Sequence, residues 1–248
     1  MLVSELPLRL GSATPALGDV SDEEPDEDGA LLAAGYATLT IPEIVTCQGR
    51  AAYHIVAEAR SKPFFNAIFR VHDVLDSYLD VQDAFSLGYA KNIQEGRFRS
   101  QASYVYDQRR GLILEPAKGT SAPIPFGTQD VLSCYYYFRT LPMAVGSHFE
   151  FPVTADDMKT YDLSVDVLRR ERIHTLAGDF DCLAVRPHLS FKGVFRQKGR
   201  VLLWVTDDER RIPVLVRSRI VIGSIEINLV KADRVATGGQ PDGQKQGR

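Results

Sequence analysis

The chain has 248 residues, 44% hydrophobic and 25% charged, with a formal net charge of −3 at neutral pH. A chain of this length buries a sizeable core, and it can do so as one large β domain without dividing. The slightly acidic balance excludes a general electrostatic attraction to nucleic acid, which needs a basic surface that releases counterions, so no nucleic-acid partner is expected.

Residues 1–33 open the chain with acid. Glu5, Asp19, Asp22, Glu23, Glu24, Asp26, Glu27 and Asp28 face only Arg9. Such charge runs read as a flexible, solvated segment. Met1-Leu-Val-Ser-Glu-Leu-Pro7 has neither the positive start nor the apolar stretch of a secretory signal. Between Val185 and Lys231 the sign reverses, with ten basic residues against four acids, so the two ends of the chain are complementary.

From Ala34 onward the pattern is of strands. Tyr161, Leu163, Val165 and Val167 alternate with Asp162, Ser164 and Asp166, which places one set inward and the other in solvent. Similar runs are predicted at Tyr36 to Ile41, Tyr53 to Ala59, Asp76 to Val81, Ser103 to Tyr106, Phe180 to Arg186, Val201 to Thr206, Val214 to Ile222 and Ile225 to Val230. Turn residues such as Gly49, Gly178-Asp179, Asp207-Asp208 and Gly223 separate them, as in an antiparallel meander rather than βαβ crossovers.

Two segments read as helices. Thr128 can cap a helix over Gln129 to Thr140, with Asp130 in its first turn, Arg139 in its last and Pro142 just beyond. A shorter one follows Pro63, where Phe64, Phe65, Ile68 and Phe69 would share a face. The expected fold is mainly β, a β-rich α+β arrangement. A single highly curved antiparallel sheet or half-barrel spans 34–231, with one or two short helices on or in its concave face. Residues 232–248, rich in Gly and Gln, read as a disordered tail. No run of 18 apolar residues is present, so no transmembrane helix is expected.

The candidate ligand site is aromatic: Phe64, Phe65, Phe69, Tyr135, Tyr136 and Phe138, brought together where the helices close the sheet, would line an apolar cavity or simply fill the core. Candidate contacts to an anionic group are Lys192, Arg196 and Lys198 on a hairpin interleaved with Phe191 and Phe195, and Arg217 and Arg219 two apart on one strand. The plainer alternative for the two strand arginines is pairing with acids such as Asp162 or Asp166 on a neighbouring strand. His54, His72, His148, His174 and His188 are dispersed without metal-ligand spacing, and no metal or cofactor is expected. Cys47, Cys134 and Cys182 are too few for a disulfide scaffold; Cys182 reads as a small core residue. No nucleophile elbow, phosphate loop or dinucleotide fingerprint occurs, so no catalytic residue is assigned.

Several segments together resemble a known family. They are Thr175-Leu-Ala-Gly-Asp-Phe-Asp-Cys182 with Leu183 to Pro187, Gly199 to Pro213, Val214 to Gly223, Tyr53 to Arg60 with Pro63-Phe-Phe, and Gln129 to Ser133 through Tyr136 to Pro142. From about Ala34 to Val230 the chain is similar to the bacterial domain-of-unknown-function family 3108. The resemblance implies an exported, envelope-associated β-rich protein, similar in shape to the half-barrels of lipoprotein carriers, with no chemistry to inherit. It departs from that pattern where the acidic stretch stands in place of the strand expected before Ala34. The function expected is a non-catalytic periplasmic or outer-envelope binding protein for a lipid or acyl chain. The alternative is a structural adaptor with a filled core that docks on envelope proteins.

Overall fold

A computed structural model of the chain describes residues 2–11, 32–66, 69–191, 194–195, 201–220 and 223–234, with side chains described for 34–66, 69–188, 201–218 and 226–232. The strands are β1 (Leu2–Gly11), β2 (Leu32–Cys47), β3 (Arg50–Ser61), β4 (His72–Asp80), β5 (Ser86–Glu95), β6 (Phe98–Asp107), β7 (Leu112–Glu115), β8 (Thr120–Pro123), β9 (His148–Thr154), β10 (Thr160–Thr175), β11 (Gly178–Phe191), β12 (Val194–Phe195), β13 (Val201–Thr206), β14 (Pro213–Ile220), β15 (Gly223–Asn228) and β16 (Lys231–Arg234). The helices are α1 (Pro63–Asn66) and α2 (Ser133–Phe138).

Among the described residues all sixteen strands belong to one sheet; fourteen follow the order β8-β7-β6-β5-β4-β3-β2-β1-β15-β14-β13-β11-β10-β9, with β12 beside β11 and β16 beside β1. Two antiparallel meanders, one running from β2 to β8 and the other from β9 to β15, are joined at the middle by β1. Leu6 on β1 pairs with Ala37 of β2, and Leu8 with both Gly35 of β2 and Ile227 of β15, while the first residues of β1 pair with β16. This corrects the expectation of a flexible segment over residues 1–33, since Leu2–Gly11 is the strand that couples the two halves. On the β15/β16 side Pro7 falls between the two ladders, since β16 pairs with Leu2 to Glu5 and β15 with Leu8 to Gly11, while on the other side it pairs with Tyr36 of β2. The acidic stretch from Asp19 to Asp28, and residues 235–248 of the expected tail, lie outside the described residues.

The sheet curls until its ends face each other. Tyr106 on β6 shares a hydrogen bond with Thr154 on β9, Tyr104 donates from its hydroxyl to the Asp156 carbonyl at 3.1 Å, and Lys91 on β5 meets Asp156 at 2.5 Å. No ladder joins β8 to β9 among the described residues, so the barrel stays open. The gap is bridged by Gln129, which forms a parallel bridge with Val153: its N–H donates to Pro152 at 2.9 Å and its carbonyl accepts from Thr154 at 3.0 Å.

The predicted alternation on β10 holds. Tyr161, Leu163, Val165 and Val167 are buried, and the last three pack with Phe151, Val153, Leu183, Val185 and Val205. Ser164, expected outward, is also buried, with its hydroxyl donating to Glu150 at 3.3 Å. Ile55 and Leu79 centre a second cluster on β3 and β4. Helix α2 lies between these two clusters and belongs to both.

Candidate functional site

The chain between β8 and β9 enters the interior of the curled sheet by folding around Asp130. Its carboxylate Oδ1 accepts the N–H groups of Leu132 and Ser133, each at 2.8 Å, and Ser133 Oγ accepts the Asp130 N–H at 2.9 Å. This reciprocal cap satisfies donors that a helix start leaves open. Thr128, the expected cap, instead donates to the Pro125 carbonyl at 2.6 Å. The helix is shorter than predicted because Gln129 spends its backbone on β9 before the first turn begins.

The second carboxylate oxygen of Asp130 accepts the hydroxyls of Ser77 on β4 at 2.7 Å and Ser86 on β5 at 2.6 Å. All of these residues are fully buried. Burial pushes the Asp130 carboxyl above its ordinary value of 3.8, against the opposing pull of the hydrogen bonds from Ser86, Ser133, Ser77 and Leu132. Gln108 adds a further tie, donating to the carbonyls of Ser86 at 2.8 Å and Thr128 at 3.0 Å. The helix is thereby fastened at its start to the first meander.

Its remaining length fills the interior. Tyr136 is buried against Ile55, Leu79 and Leu132, and Phe138 against Phe151, Leu163 and Leu183. Tyr137 stands edge-to-face on Phe151 at 4.9 Å, and Phe138 on Phe149 at 6.1 Å. Burying each of these rings stabilises the fold by about 2–3 kcal/mol. Tyr135 donates its hydroxyl to the Arg211 carbonyl at 2.6 Å, and burial raises its phenol pKa well above 10. Arg139 donates to the Arg210 carbonyl at 3.0 Å, and its guanidinium lies 5.2 Å from the Tyr136 ring. The far end of α2 is thus held by the turn between β13 and β14.

Of the six aromatic candidates, Tyr135, Tyr136 and Phe138 meet in this interior, and the other three do not. Phe64 is 77% exposed and Phe69 53% exposed, on the connection from β3 to β4, while half-buried Phe65 sits edge-to-face on Phe64 at 5.5 Å. The reason is length. Helix α1 makes a single turn and cannot carry an i, i+4 face into the core; Phe69 lies beyond its end.

The basic candidates fare differently. Lys192, Arg196 and Lys198 lie outside the described residues, as does the side chain of Arg219. Arg217 is described, and its charge is already used: it meets Glu226, directly opposite on β15, at 2.9 Å, and stacks 5.4 Å from the Trp204 ring. Neither Asp162 nor Asp166 is its partner in that pair. Each histidine has a carboxylate instead: His54 with Asp76, His72 with Glu58, His148 and His188 with Asp166, and His174 with Asp179. These are cross-strand neighbours that no sequence spacing reveals. Cys47, Cys134 and Cys182 are free, and burial pushes the Cys134 and Cys182 thiols up to about 12, which leaves them protonated and poorly nucleophilic.

No curated protein matches the chain. Among solved structures, a β-barrel-like protein of the DUF1849 domain of unknown function from Brucella abortus is similar over 95% of this chain and 98% of its own, at a TM-score of 0.60 and 12% identity. A candidate lipoprotein from Parabacteroides distasonis aligns over 93% of this chain and 95% of its own at 10% identity, with a TM-score of 0.30. A candidate exported protein with a YmcC-like fold from Bacteroides fragilis aligns over 94% and 95% at 8% identity, also with a TM-score of 0.30. The Brucella structure shares the curled-sheet fold, and at that identity it shows the fold alone. The model of the family described as "Protein of unknown function (DUF3108)" matches residues 29–230, which include both meanders and the helix between them, and the chain belongs to that family.

Proposed function

We propose that the protein is a non-catalytic scaffold of the cell envelope whose curled sheet is filled by its own helix and which acts through its outer surface. The observation that supports this reading is the position of α2. Tyr136 and Phe138 occupy the space between the two meanders where a carrier of this shape would hold its cargo, and Asp130 fastens them there. Among the described residues the Cys134 and Cys182 thiols are protonated, Arg217 is paired with Glu226, and every histidine is tied to a carboxylate, two of them, His148 and His188, to the same Asp166. Placement in the envelope follows from what the family resemblance implies.

Native mass spectrometry of protein purified from its own host without detergent tests this directly. The expected result is a clean apo mass that stays unchanged after incubation with envelope lipid extract. A stoichiometric adduct of lipid mass would overturn it in favour of a carrier of an apolar ligand. Tyr135→Ala gives a second readout. As a half-buried ring with one hydrogen bond it should lower the unfolding free energy by about 2 kcal/mol, measured by urea denaturation, with no ligand binding to lose.

A further inference from the structure

The connection from β3 to β4 and the turn from β5 to β6 form one continuous rim. The Gly96 N–H donates to the Arg70 carbonyl at 2.7 Å, Val71 bridges to Glu95, and a Cβ on Gly96 would lie 2.8 Å from the Phe69 ring. Ser61 closes the base of the connection through its hydrogen bonds to Val71 and Asn66. This rim projects three large aromatic rings into solvent: Phe64 at 77%, Phe69 at 53% and Phe98 at 59% exposure. Leaving such rings in water is costly, and folding gains nothing from them there.

The same two connections carry four cations, with Glu95 and Asp73 beside them. Lys62, Arg70, Arg97 and Arg99 are all exposed, and Arg99 spends its guanidinium on the carbonyls of Gly96 and Phe98, a geometry that stiffens the turn and leaves its charge uncompensated by those partners. Arg60 is taken by Glu58. The opposite rim makes the contrast. It also exposes Phe126 and Leu176, but there Arg50, Arg110 and Arg170 are held by Asp80, Asp107 and Asp207, and Arg109 is the exposed exception.

From this arrangement we infer that the β3–β4 and β5–β6 rim docks the protein on an anionic lipid surface, with Phe64, Phe69 and Phe98 entering the headgroup region and Lys62, Arg70, Arg97 and Arg99 meeting lipid phosphates. Interleaved aromatics and cations at a loop tip match the layered chemistry of such a surface, apolar below and negatively charged above. A folded acidic protein would reward the arginines but give the three rings no apolar layer to enter. The inference is independent of whether the interior is filled, since the rim lies outside it.

The test is co-sedimentation of the full chain with vesicles of pure phosphatidylglycerol and of pure phosphatidylcholine. Binding to the first and little to the second is expected. Arg97→Ala with Arg99→Ala should weaken it by about 25-fold, at roughly 1 kcal/mol per cation near the surface. Phe64→Ser with Phe98→Ser should weaken it by about tenfold or more. Circular dichroism confirms that these surface variants remain folded. Equal binding to both vesicles, or no response to either pair, would overturn the inference. So would binding of DNA at the same salt that depends on the arginines alone and exceeds the binding to phosphatidylglycerol.

Discussion

Asp130→Ala is expected to lower the unfolding free energy by about 4 kcal/mol, measured by urea denaturation. The substitution removes the acceptor for two serine hydroxyls and two helix N–H groups at once, and every one of those donors is buried where water does not replace the lost partner. The loss should exceed that of Ser77→Ala or Ser86→Ala, because each of those removes a donor and leaves the carboxylate its remaining partners. Asp130→Asn separates geometry from charge. Its Oδ1 still accepts from Leu132 and Ser133, and the serine hydroxyls can turn to accept from the amide, so a cost of about 1–2 kcal/mol is expected.

The two variants also differ in pH dependence. Burial raises the pKa of Asp130 above its unfolded value of 3.8, so its contribution to stability is full below that value and declines as the pH rises through the folded pKa. Asparagine does not titrate. The deficit of Asp130→Asn relative to the native chain should therefore be largest below pH 3.8 and shrink as the pH rises through the folded pKa. A deficit that grows as the pH rises would mean that the four hydrogen bonds outweigh desolvation and hold the carboxylate ionised.

What the sequence disclosed was the buried face of β10; what it hid was where the strands meet. Tyr161 to Val167 declares its burial by alternation alone, since period two is a property of one strand. Leu6, Leu8 and Leu10 alternate as clearly, yet the acids that follow dominate the composition of residues 1–33, and a local pattern carries no sign that β1 pairs with β15 more than two hundred residues later. The aromatic site was half legible for the same reason. Tyr135, Tyr136 and Phe138 are held within one turn and a half of helix, so their proximity is local. Their union with Phe64 and Phe69 depended on a second helix long enough to reach inward, and the chain makes only one turn there. The partners of Asp130 were the least accessible, because Ser77 and Ser86 are 53 and 44 residues away and neither residue type is distinctive.

Trp204→Ala should cost about 4 kcal/mol and tests whether the two meanders unfold as one. The indole is 1% exposed and packs with Ile173, Ala184, Ile212, Leu215 and Leu229. Its Nε1–H donates to Glu171 on β10 at 2.8 Å, and Arg217, paired with Glu226, covers its face. One side chain thus ties β10, β13, β14 and β15. Trp204→Phe keeps most of the packing but leaves Glu171 without that donor, so about half the loss is expected. Unfolding followed by far-ultraviolet circular dichroism should stay a single transition with an unchanged denaturant slope, shifted to lower urea, because β1 links the destabilised meander to the other through ladders on both of its sides. A split into two transitions, with the half from β2 to β8 retaining its native midpoint, would show that β1 joins the halves in space without coupling them in energy.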